Sequence, residues 1–215
     1  MTMMRVLAVL MFAVCAIPAA AQSAAPPSQP PPSSSATPSW SGSASLFTYA
    51  VPEENNFVQP TVGVDHDWLH LEARFNYEDL DTASVWVGRN FSVGEQVQFE
   101  ITPMAGAVFG QTNGGALGYS GSLTWRSIDL SSETEYVFAG GDAESFLYTW
   151  SELGWSPVDW LRGGLVVQRT KVYQTEFDIQ RGFFGGVTIH RWDVSAYVFN
   201  PDVKPTVVIG VAFNF

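Results

Sequence analysis

The side chains able to do chemistry in this sequence recur at every second position of long alternating segments. From Leu69 to Glu78, the residues His70, Glu72, Arg74, Asn76 and Glu78 share one parity, while Leu69, Leu71, Ala73, Phe75 and Tyr77 share the other. Successive side chains of a strand point to opposite faces, so this spacing sets charged groups along one wall. Glu100 repeats the arrangement between Val97 and Phe109, and Arg126, Glu135 and Arg169 are placed on the same inner surface. Opposite charges collected there form either a structural ion-pair network or a polar constriction that selects solutes. Arg162, Arg169, Lys171, Arg181 and Arg191 cluster late in the chain, while Glu72, Glu78 and Glu100 come early, so a transverse field is a further expectation. Catalysis has little support. His66, His70 and His190 show no metal-binding spacing, and no G-x-S-x-G elbow is present. His70 reads as a hydrogen-bonded histidine near Glu72, not as the base of a serine nucleophile. The glycine pairs Gly163-Gly164 and Gly185-Gly186 lack a phosphate-loop pattern. The expectation is therefore no enzyme, no metal and no cofactor.

The elements that carry these residues must be strands. Leu117, Tyr119, Leu123 and Trp125 alternate with Gly118, Ser120, Ser122 and Thr124, as do the segments already described. A soluble sandwich would also alternate, with its core on the apolar face. Length separates the two, because segments of roughly 9–12 residues exceed ordinary globular strands and match a bilayer-spanning strand. Composition agrees, with only 14% charged residues against 14% aromatic. Trp40, Trp68, Trp125, Trp155, Trp160 and Trp192 sit beside short turns, and Tyr49, Tyr77, Tyr148 and Tyr173 towards the opposite strand ends. Two such girdles suit a barrel crossing a membrane.

The N-terminus points to export. Arg5, the apolar run Val6 to Val14 and the small residues Ala19-Ala20-Ala21 read as a signal peptide over 1–21. The surroundings of Cys15 fit a lipid-attachment box poorly. Cleavage removes Arg5, moving the formal charge from −11 to −12, and leaves no cysteine. So acidic a chain does not suit nucleic acid. Residues 22–39, rich in Pro, Ser and Ala, read as a disordered periplasmic linker, and 40–215 as a single domain of 176 residues.

At the C-terminus, Val207, Ile209, Val211, Phe213 and Phe215 alternate to the last residue. This resembles the terminal strand of bacterial outer-membrane β-barrel proteins, in which a final Phe marks the chain for the barrel-assembly machinery. The resemblance implies an all-β, closed antiparallel up-and-down transmembrane barrel in the outer membrane. Its partners would be lipid, lipopolysaccharide and that machinery. Strand counting gives twelve, with ten as the alternative. Glu53, Glu54, Glu78, Asp79 and Asp81 fall in outer loops and form an acidic mouth, read either as solvation or as cation attraction. In size the chain resembles small twelve-stranded channels for acidic oligosaccharides, but the mixed lumen charge here departs from their basic tracks. The resulting expectation is a narrow porin-like channel for small polar solutes or cations. The alternative is a plugged barrel with a structural or envelope-tethering role.

Overall fold

Wherever the period-two pattern persists, the chain is a strand, and each strand but one hydrogen-bonds to the next in sequence. The computed structural model describes residues 40–51, 55–141, 143–169 and 179–215. The signal peptide, the linker, Glu53, Glu54, Lys171 and Tyr173 lie outside the described residues. Thirteen β-segments follow one another. They are β1 (Trp40–Ala50), β2 (Phe57–His66), β3 (Leu69–Phe75), β4 (Thr82–Arg89), β5 (Phe91–Val93), β6 (Val97–Gly110) and β7 (Gly114–Trp125). After them come β8 (Ile128–Ala139), β9 (Phe146–Val158), β10 (Leu161–Arg169), β11 (Ile179–Ile189), β12 (Trp192–Phe199) and β13 (Thr206–Asn214). β4 and the short β5 both pair with β6, so together they fill one place in the wall, interrupted at Asn90. The wall is a closed antiparallel barrel of twelve strands, as expected, and not of ten.

Closure is made by β1 against β13, from Ser43 opposite Asn214 to Ala50 opposite Val207. Beyond that register Gly42 and Phe215 exchange two backbone hydrogen bonds, each of 2.9 Å. A closed wall has no edge, which is what hydrocarbon demands of backbone donors and acceptors.

The two faces of the wall differ as the alternation requires. Leu71, Val85, Leu117, Leu153 and Leu165 are exposed on the outside, Leu165 at 61%. Arg74, Ser84, Trp86, Glu135 and Glu152 are buried on the inside. A core of soluble type would reverse this distribution. At one end, tight turns such as 126–127 and 190–191 join neighbouring strands, with Asp67, Arg126 and His190 in the left-handed region at φ 56°, 55° and 59°. All six tryptophans expected beside short turns are exposed at this end.

Among the described residues, the second girdle is not built from the expected tyrosines. Tyr49 and Tyr148 are 3% and 2% exposed and face the lumen. Tyr77 packs on Tyr148 with ring centroids 4.8 Å apart. Parity explains the difference, since Tyr49 follows Phe47 inward and Tyr148 follows Phe146. Phe75, Phe109, Tyr136 and Phe138 hold the exposed aromatic positions at the loop end.

Candidate functional site

The centre of the lumen is organised around one guanidinium. β3 turns Arg74 inward, where its side chain is 1% exposed. It donates through Nε to Glu72 and through Nη1 to Glu135 Oε2, the latter at 2.8 Å. Glu133 Oε1 is 2.6 Å from Nη2, and Glu78 Oε1 lies 4.0 Å from Nη1. The guanidinium carbon sits 4.2 Å from the Tyr77 ring centroid and 4.9 Å from that of Trp86. Trp86 lies flat because it covers Gly106, where an added Cβ would meet ring carbons at 2.5–2.8 Å. Four carboxylates and two aromatic faces thus enclose a single positive charge.

A hydrogen-bonded chain leads from this hub to the short-turn end. His70 places Nδ1 2.9 Å from Asp65 Oδ1 and Nε2 3.3 Å from Glu72 Oε2. Asn90 Nδ2 donates to Asp65 at 2.7 Å, and Thr102 Oγ1 donates to Asn90 Oδ1 at 2.7 Å. Both ring nitrogens of His70 face carboxylates, so the ring is held by acids and not by a serine hydroxyl.

A second cluster lies on the neighbouring arc of the wall. Arg162 donates to both oxygens of Asp129, at 3.1 and 2.5 Å, and to Glu152 Oε2 at 2.5 Å. Its guanidinium stands 4.6 Å from the Phe184 ring centroid. Glu152 also accepts from Trp150 Nε1 at 2.8 Å. Trp150 then reaches across the lumen to Phe47 on β1, with centroids 6.2 Å apart, and packs on Tyr197 and Phe199 at 5.0 and 5.3 Å.

Of the residues assigned to the lumen from sequence, Glu72, Arg74 and Glu135 meet in the central cluster, and Glu100 shares the inward parity of Met104 and Val108. Arg126 does not belong there. It occupies the turn between β7 and β8, exposed, 5.0 Å from the Trp125 ring centroid. The alternation of β7 stops at Trp125 and cannot be carried through a turn. Arg169 falls on the parity of Leu165 and Val167, away from the inward Val166 and Gln168. Among the described residues the late arginines form no continuous inward wall. Arg162 is neutralised by two acids, and the exposed Arg181 pairs with Asp202 at 3.0 Å.

The acidic mouth also changes. Glu78 is fully buried and accepts hydrogen bonds from Ser84 Oγ and Trp86 Nε1. Asp79 is 8% exposed, accepting from Thr112 Oγ1 at 2.6 Å and the Leu80 amide at 2.9 Å. The segment between β3 and β4 folds over the lumen, so only Asp81 of the described mouth residues faces solvent. Sequence reading missed Asp129, Glu133, Glu152, Trp86 and Trp150. Their signal was present: Asp129, Ser131, Glu133 and Glu135 alternate with Ile128 and Leu130 once β8 is started at its true beginning.

No protein-family model and no curated protein matches the sequence. Among solved structures the chain is similar to a KdgM porin, at 14% identity and a TM-score of 0.53, over 80% of this chain and 99% of that one. A KdgM porin in complex with disordered oligogalacturonate matches at 14% identity and a TM-score of 0.51, over 81% of this chain and 99% of that one. Likeness at this identity establishes the fold.

Proposed function

We propose that the protein is a narrow channel of a bacterial outer membrane that passes small cations and small polar solutes. The apolar outer face, the tryptophan ring and the porin-like fold support that location, with the short turns on the periplasmic side. One observation carries the ion preference. Asp65, Glu72, Glu100, Asp129, Glu133, Glu135, Glu152 and Asp193 all lie on inward parities, whereas Arg74 and Arg162 are the arginines that answer them among the described strands. Carboxylates in a low-dielectric tube focus a negative potential that concentrates cations and repels anions. Oligogalacturonate is itself acidic, so this lumen suits the opposite class of solute.

A second reading, the closed barrel, is favoured by the packing of the loop-end half. Val137, Phe146, Phe199 and Val208 are at most 2% exposed inside the wall. The Tyr77–Tyr148 and Phe47–Trp150 contacts also cross the lumen. Proteoliposomes loaded with rubidium chloride separate the two readings. Rubidium loss above protein-free vesicles is the channel result, and full retention is the closed-barrel result. Chloride leaving ahead of rubidium would overturn the cation preference.

A further inference from the structure

The surroundings of Arg74 have the composition of a receptor for a cation, and the occupant is a side chain of the wall itself. Tyr77 and Trp86 present ring faces to the guanidinium at 4.2 and 4.9 Å, as aromatic cages present to organic cations. Glu72, Glu133 and Glu135 take its edges. The cage offers more acceptors than its resident satisfies. Glu78 and Glu135 are 0% and 2% exposed, yet among the described residues Glu78 Oε2 and Glu135 Oε1 have no hydrogen-bond partner. Unpaired buried carboxylate oxygens are costly and call for further donors. The approach to the cage is from the side of Glu133, whose side chain keeps 27% of its surface accessible against 1% for Arg74, although the Oε1 that faces Arg74 is itself buried.

We propose that this cage is a binding site for organic cations bearing a guanidinium or primary ammonium group, and that Arg74 is its tethered occupant in the resting barrel. A solute of that class arriving past Glu133 meets the same carboxylates and rings. It exchanges with a side chain anchored on β3, and the exchange would open the lumen that Arg74 bridges. The use of the site in transport rests on the channel reading, whereas occupancy of the cage does not.

The test uses the full chain refolded in detergent micelles, with methylguanidinium chloride as probe and equimolar sodium chloride as control. Arg74→Ala empties the cage. Methylguanidinium at about ten times its dissociation constant should raise the melting temperature of this variant by about 3–6 °C, and leave the native chain unshifted. An equal shift in both proteins, or none in the variant, overturns the proposal. Should Arg74→Ala fold only when methylguanidinium is present, that rescue supports the site directly. Should it fold in neither salt, the double variant Arg74→Ala/Glu135→Gln buries one charge fewer, and the same criterion applies to it. Rubidium efflux on the same proteins keeps the two readings apart. A melting shift without efflux sinks the channel and keeps the cage, and efflux without a shift does the reverse.

Discussion

Arg74 on β3 and Glu135 on β8 meet at 2.8 Å although three places of the barrel wall, those of β4 with β5, β6 and β7, stand between their strands. The contact therefore spans the lumen instead of running along the wall. Both groups are almost wholly buried, and three further carboxylates share the same guanidinium. Removing the guanidinium shared by these carboxylates leaves unpaired buried charge, which costs about 3–5 kcal/mol. Arg74→Met should thus lower the unfolding midpoint of the barrel in liposomes far more than Glu72→Gln does. Equal midpoints for the two variants would show that the cluster is not held by Arg74.

The lipid-facing register is tested at β10. Leu165 stands at the middle of the strand on the outer face, and Val166 points inward at 1% exposure. Leu165→Arg should destabilise the barrel by about 2–4 kcal/mol, the cost of a cation at the bilayer midplane. Trp155→Arg, near the short-turn interface, should cost about 0–1 kcal/mol. Refolding titrations in liposomes measure both, and identical costs would contradict the placement of the membrane.

Asp79 and Asp81 should now behave differently, although they are two residues apart. Asp79 is buried and accepts from Thr112 and Leu80, so Asp79→Asn should cost about 1–3 kcal/mol through mismatched hydrogen bonds. Asp81 is exposed, and Asp81→Asn should stay within about 0.5 kcal/mol of the native chain. A stable Asp79→Asn variant would return that residue to the solvent-facing mouth.

Phe215 closes the seam through its backbone, while its ring is 51% exposed and stacks at 6.2 Å on Phe213. Because Phe215→Ser preserves the backbone bonds to Gly42, it should lower the amount of barrel assembled in cells and leave the melting behaviour of the assembled fraction unchanged. Heat-modifiability on gels reads both quantities. Normal assembly would remove the recognition role proposed for the terminal residue.

The architecture was legible because one rule governs nearly every strand. Lipid outside and a polar interior force the alternation seen from Leu69 to Phe75, and a one-residue slip would expose Glu72 and Arg74 to hydrocarbon. The rule fails where a strand stops. Alternation read on from Trp125 puts Arg126 on the inner face, but the strand ends at Trp125, and β8 resumes at Ile128, two residues beyond Arg126, which brings Asp129 inward. Hairpin ends are set by local turn geometry, and the left-handed φ of Arg126 has no strong residue-type signature. Loops fail for another reason. Glu78 and Asp79 read as solvent-facing because the partners that draw them inward, Trp86 and Thr112, are distant or on other segments. Tyr49 and Tyr148 show that an aromatic near a strand end joins a girdle only when its parity is outward.

The acid-rich lumen makes one electrical claim above all others. Reversal potentials measured on the purified barrel in planar bilayers, under a potassium chloride gradient, read ion preference directly. The expected result is cation preference that weakens as salt rises, because the Debye length falls from about 30 Å at 0.01 M to about 3 Å at 1 M. It should fall again when Glu133, the most accessible carboxylate of the Arg74 cluster, is changed to Gln. Anion preference, or a bilayer that stays silent with folded protein inserted, would contradict the account.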